Sequence, residues 1–439
     1  MKNSHKKMAM FVLLVFTVII CCGCGKPKEV KDLEICLKVE NTEYNGVYSG
    51  LVTGKKPTGD GIFSYSDADI DFTYSGTWEN GMLVGVGNLE VKPYAIEFYG
   101  NNYMGCYSGE AINGVPNGNG TFNYKSGDCI LNYQGNWEDG IFSDDGFLEF
   151  NNFSLAFEEE IYTGTYKGET LSGVPNGNGS FSYNSMDRYM EYDGAWSNGQ
   201  FSGAGYLKSN LYVLHLPEKS SDGRQGEYKG ETIDGVASGS GEFTATNQYG
   251  EKYTYTGEWE NGLFNGYGVI RYEQDNTTYV GNYSNGEFKP TVREMFENLG
   301  GMYGEYAFHL NDNACGFLDE YPEIFLDAAK IIYTDVKFEN DLNYDEYKRA
   351  PHKYGGKLMT VQNLTITGVQ EDDVFGYHLT EIFARGDTNQ EYIVYMLSPV
   401  SVAVGSKITL HALPLDMFTF PNYDGKIILE MACAGVAVT

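Results

Sequence analysis

The chain runs to 439 residues, room for two or three domains. Aromatics supply 15% of it, beside 55 glycines and 36 tyrosines, a mixture too aromatic for a disordered chain and too rich in glycine for a helical one. The net charge of −30 sets the protein against nucleic acid and anionic lipid surfaces, both of which repel it.

The N-terminus, "MKNSHKKMAMFVLLVFTVIICCGCGK", is basic at Lys2, Lys6 and Lys7 and continues as an apolar run from Met8 to Ile20. A bilayer span wants about 20 residues. The shorter run reads as a signal peptide, with an uncleaved anchor as the alternative. It ends in "CCGCG", which resembles the bacterial lipobox: Gly23 precedes the cut, and Cys24 follows it and would carry the lipid. Cys21 departs from the usual leucine, and Cys22 is a second candidate. Residues 1–23 are assigned to the signal peptide and 24–43 to a tether, implying a chain held at the cell membrane, outside the cytoplasm. Beyond Cys24 stand Cys36, Cys106, Cys129, Cys315 and Cys433, with no CxxC pair among them. Buried free thiols are expected, not a zinc knuckle or a dithiol.

The four tryptophans, Trp78, Trp137, Trp196 and Trp259, are spaced by 59, 59 and 63 residues. Around them stand "YSGTWENGMLVGVG", "YQGNWEDGIFSDDG", "YDGAWSNGQFSGAG" and "YTGEWENGLFNGYG". Between them recur segments such as "YSGEAINGVPNGNGTFNY" and "YKGETLSGVPNGNGSFSY". Fixed-period self-similarity of this kind marks a repeat architecture. In Tyr74-Ser-Gly76-Thr-Trp78, alternate residues share one face of a strand, so Tyr and Trp flank a glycine that leaves a slot for a ring. Asn80-Gly81, Asp139-Gly140, Asn198-Gly199 and Asn261-Gly262 accept the positive φ angles of a type I′ turn. Each segment is therefore a hairpin. Eight segments predict about 16 strands in one twisted antiparallel sheet with neighbour-to-neighbour contacts.

The pattern Y-x-G-x-W-x-x-G-x-x-x-G-x-G resembles the membrane occupation and recognition nexus (MORN) repeat, over 44–289. Asp145 and Ala237 depart from it. The resemblance implies a membrane-associated repeat protein and makes direct lipid binding an alternative function.

From Thr291 the texture changes. Thr291 and Glu294 predict a capping box, with Gly300 ending that helix. "DEYPEIFLDAAKIIY" and "NYDEYKRAPHKY" read as further short helices, so 290–342 forms a helical connector or cap. Five strands follow, Lys357–Val369, Phe375–Phe383, Glu391–Leu397, Lys407–Leu413 and Lys426–Val438. The stretch 343–439 resembles OB-fold-like modules of bacterial lipoproteins, although Ser406 departs from a usual Gly-Asp. Residues 290–439 carry 22 acidic and 10 basic side chains, the wrong sign for a groove that tracks phosphate. No nucleic-acid partner is expected.

No residue set announces chemistry. "GVPNGNG" lacks the third glycine and the following helix of a dinucleotide loop. Asp67, Asp69 and Asp71 lack the glycine and glutamate of a calcium loop and read as a solvated strand face. No two histidines have metal-ligand spacing. His378, His411 and Cys433 come closest to a hydrolytic site.

The fold class is thus mostly β: a long sheet of stacked hairpins, then a small α+β domain with an OB-like barrel. The expected function is non-catalytic, without cofactor or metal: a lipid-anchored scaffold or spacer for an envelope or cell-surface protein. Lipid or cell-wall glycan binding by the sheet is the alternative. Tyr74, Trp78, Tyr133, Trp137, Tyr192, Trp196, Tyr255 and Trp259 are either the interaction surface or the packing between repeats.

Overall fold

The computed structural model describes residues 26–39, 41–216, 223–339, 344–354, 356–398, 400–421 and 423–439. The stretch expected to be a signal peptide, and Cys24, lie outside the described residues. Nineteen consecutive antiparallel strands make up the repeat region, from Lys28–Val39 to Glu287–Phe288. Lys28–Val39 adds a strand in the stretch assigned to a tether, and a short hairpin of Thr278–Ser284 with Glu287–Phe288 closes the series within the expected bounds. The chain divides into two compact units, one up to Asn151 with Glu169–Val174, the other Asn152–Gly168 with Pro175–Thr439.

Turn chemistry builds the ladder. Asn80 and Gly81 take φ of 55° and 88°, and Asn113, Asp139, Asn198, Asp234 and Asn261 lead glycines in the same way. Such left-handed pairs match the twist of the flanking strands. The turn glycines also tie neighbouring hairpins: Gly81, Gly140 and Gly199 donate their N–H to the carbonyls of Pro57, Pro116 and Pro175 at 2.9 Å. The proline of "GVPNGNG" thus serves as an acceptor. Ala237 keeps that role, receiving the Gly262 N–H at 2.9 Å.

Each Tyr-x-Gly start fills its own slot. Tyr107 lies across Gly109 and its partner Gly120, so a Cβ on Gly120 would come within 2.5 Å of the tyrosine hydroxyl. Tyr48, Tyr74, Tyr133, Tyr166, Tyr192, Tyr228 and Tyr255 repeat this arrangement over their own glycine pairs.

The alternate hairpins differ. Met82–Phe98, Ile141–Phe157 and Gln200–Leu214 are strands of 15 to 17 residues, against 9 to 12 for most others. Their extra length covers the next tryptophan. Tyr94 packs on Tyr107 and Trp137, Phe153 on Tyr166 and Trp196, and Tyr212 on Tyr228 and Trp259. Leu37, Ile96, Leu155 and Leu214 are buried at intervals of 59 residues. So the thin sheet acquires a core from its own long strands.

In the C-terminal domain five strands close on themselves: Leu358–Val374, Tyr377–Arg385, Glu391–Met396, Ile427–Val438 and Lys407–Pro421 in spatial order. Glu391–Met396 and Ile427–Val438 run parallel, and Leu358–Val374 pairs back with Lys407–Pro421. Inside lie Met359, Ile366, Ile382, Val394, Met396, Leu410 and Cys433. The helix Val292–Met302 begins with the expected capping box, Thr291 Oγ1 accepting the Glu294 N–H at 3.2 Å and Glu294 accepting the Thr291 N–H at 2.8 Å. Gly300 does not end this helix. It lies inside the last turn, where a side chain would strike the Phe308 carbonyl.

Candidate interaction surface

The eight aromatic residues singled out in the sequence sit together in the core of the sheet. All are at most 3% exposed, which leaves no ring face open at these positions. In each copy the tryptophan meets its tyrosine edge-on, with centroids 6.1, 5.7, 5.6 and 5.4 Å apart along the chain. Tyr133, Tyr192 and Tyr255 also stack on Phe142, Phe201 and Phe264 at 3.8 to 3.9 Å. Edge-to-face and offset contacts of this kind add about 0.5–1.5 kcal/mol each beyond burial.

The hydroxyls obey the same regularity. Tyr133, Tyr192 and Tyr255 donate to the carbonyl three residues on, at 2.9, 3.0 and 2.7 Å. Tyr74 is the exception, its buried hydroxyl lacking a partner among the described residues. Burial raises the pKa of Tyr74 and pushes Tyr133 and Tyr192 up to about 12. Trp78 and Trp196 donate their indole N–H to the carbonyls of Gly61 and Gly179.

Two groups of residues escaped sequence reasoning. Tyr94, Phe153 and Tyr212 carry no glycine motif, although their 59-residue spacing is a findable signal. Glu110 and Glu231 follow the Tyr-x-Gly of alternate segments. Each reaches over a glycine with positive φ, Gly118 or Gly239, and accepts the next N–H, from Asn119 or Ser240, at 2.7 Å. The loop that resembled a phosphate cradle is already satisfied by a carboxylate of its own hairpin.

What the sheet turns to solvent is the opposite face and the turn rim. Ile62, Val86, Phe147, Tyr206 and Tyr267 are exposed there, as are Met82 and Ile141 beside their turns. Charged and small residues surround them. Asp67 closes a turn by accepting from Asp69 and Ile70, so "SDADIDF" is a connection and not the strand face expected of it.

The barrel residues serve separate partners. His378 lies 3.3 Å from Asp373, and His411 Nδ1 lies 3.0 Å from Thr360 Oγ1 with its ring against Phe338. Cys433 faces the barrel interior, and burial holds its thiol well above the usual range. Among the described residues no group of three His, Cys, Asp or Glu is placed to hold a metal ion. Nor is any helix there long and apolar enough to cross a membrane.

The family model of the MORN repeat matches residues 74–89, 107–129, 192–209 and 255–277. These four stretches carry the tyrosine-glycine slots and hairpin turns described above. No curated protein matches the chain.

Proposed function

We propose that the repeat sheet is a non-catalytic scaffold that docks a protein partner on its outward face, while the N-terminus holds it at the membrane through a lipid on Cys24. The observation that carries the scaffold reading is the division of faces. The conserved-spacing aromatics are consumed in packing, whereas Phe147, Tyr206 and Tyr267 remain exposed on the other side. Exposed aromatics are the residues protein interfaces favour. We read the five-stranded C-terminal barrel as an OB-like module. In this reading it serves as a terminal domain to the scaffold.

A photo-crosslinking residue placed at Tyr206, and separately at Glu34 on the first strand, tests the docking face in cells. One discrete adduct from position 206 and none from 34 is expected. Equal, diffuse labelling from both would remove the docking role. For the anchor, metabolic fatty-acid labelling should mark the wild-type chain and be lost in Cys24→Ser. Labelling that persists in that variant would assign the lipid elsewhere.

A further inference from the structure

Copies 59 residues apart provide an internal ruler. Where they agree, a side chain serves the fold. Where one copy departs in chemistry, another demand is acting. Three departures meet at one place. Glu158 stands where the preceding copy has Tyr99, which there stacks on Phe150. His215 stands where Glu97 and Ala156 stand, and in the longer last copy Asp234, 62 residues after Ser172, takes the turn-head place held by the neutral Asn113 and Ser172.

These three residues line a single cleft of about 500 Å³, with Phe157, Phe201 and Tyr212 among its walls. Glu158 sits at a hairpin tip with φ 47°, and its side chain is only 23% exposed. Its Oε1 accepts the Val213 N–H at a long 3.3 Å, and its Oε2 is 4.0 Å from His215 Nε2. Asp234 accepts the Gly203 N–H through Oδ1 at 2.7 Å and lines the cleft. Among the described residues, neither carboxylate has a lysine or arginine partner. Burial raises the pKa of Glu158, as expected for a half-covered carboxylate that wants a counter-charge.

We propose that this cleft binds an organic cation, an ammonium or guanidinium group on an apolar stem. Glu158 and Asp234 take the charge, and Phe157 and Phe201 take the stem. Charge-assisted hydrogen bonds strengthen where water is thinned, and aromatic faces attract cations. The net charge of −30 draws such ligands toward the protein. The stem requirement separates this ligand from a bare metal ion, which the aromatic wall does not favour.

Titration calorimetry of the purified chain with n-pentylamine, agmatine and neutral n-pentanol tests the inference. Saturable binding of a cation, with the alcohol about tenfold weaker or worse, is expected. Glu158→Gln and Asp234→Asn should each weaken the cation about tenfold with unchanged circular dichroism. A third arm with acetyl-Gly-Lys-Gly-amide distinguishes the sources. Binding as tight as the free amine assigns a partner's lysine, and loss of binding assigns a small amine. Equal affinity for pentanol, or affinity unchanged in a folded Asp234→Asn, overturns the proposal even should Glu158→Gln fail to fold.

Discussion

Asn298 stands beside Val280 as though it were one residue of the next strand. Its amide oxygen accepts the Val280 N–H at 2.7 Å, and its nitrogen donates to the Val280 carbonyl at 2.6 Å. One turn earlier, Glu294 receives both the backbone and side-chain N–H groups of Asn282, at 3.1 and 2.7 Å. Open strand edges invite pairing with other chains. Here the helix Val292–Met302 supplies side-chain stand-ins for the missing strand, and Phe375 closes the end by packing on Tyr279 and Phe288.

Replacing Asn298 by Leu keeps the volume and removes both bonds. The Val280 N–H and carbonyl would be left unpaired under a buried residue. Each such orphan costs about 1–3 kcal/mol. The expected outcome is a lowered thermal midpoint with faster hydrogen exchange at Val280. Unchanged exchange at Val280 would show that the amide pair does not seal the edge.

The slot under Tyr107 makes a second prediction. Gly120 has ordinary strand φ, and the atoms nearest to an alanine Cβ there are those of the Tyr107 ring. Gly120→Ala should destabilise by about 1–3 kcal/mol, the usual range for overpacking. In a Tyr107→Leu background the added methyl should cost far less, giving a clear coupling in a double-mutant cycle. Additive effects would mean that the glycine is needed for another reason.

Glu110 tests the strap. Glu110→Ala leaves the Asn119 N–H without its carboxylate and should cost about 1 kcal/mol. Glu110→Gln keeps an acceptor and should recover most of that loss. Amide exchange at Asn119 reports it directly. A Gln variant no better than Ala would place the effect in packing.

Glu430 gives a pH prediction. It is buried on the strand Ile427–Val438, with one carboxylate oxygen lacking a partner among the described residues. Burial, and then the charge of Glu391, raise its pKa from the ordinary range to about 8. A raised pKa means that the folded state holds the proton more tightly than the unfolded chain. Its stabilising contribution is complete below the unfolded value near 4.5 and is lost as pH rises toward 8. The loss is on the order of a few kcal/mol. Glu430→Gln should therefore unfold less readily than wild type at pH 8, with the difference shrinking toward pH 5. A constant difference across that range would contradict a buried, protonated Glu430.

The repeat was legible wherever local geometry needs a particular residue. Asn-Gly turns, Tyr-x-Gly slots and Trp78 with its copies announce themselves because only those residues fit. The covering strands were less legible. Tyr94, Ile96 and Phe98 answer to their tertiary partners, and many apolar residues would fill those places. Their register appears only by stepping 59 residues to Phe153, Leu155 and Phe157. Leu37 and Val39 lie one step earlier, and so a strand forms in the stretch assigned to a tether. Gly300 looked like a helix stop because glycine often is one. Its close approach to Phe308 depends on a fold that composition does not reveal. The departures at Glu158, His215 and Asp234 were visible as letters, but their convergence needed the hairpin tip to fold over its neighbour.

All four tryptophans belong to the repeat sheet, and each is at most 3% exposed. Their fluorescence therefore reports on the ladder alone. Acrylamide quenching of the native chain, compared with the chain in guanidinium, is the most direct test of whether the ladder is core or surface. Burial predicts a native quenching constant about tenfold or more below the denatured one, since the quencher needs contact with a ring that is almost fully covered. Native quenching close to the denatured value would show open rings, and the division of faces on which the scaffold reading rests would be wrong.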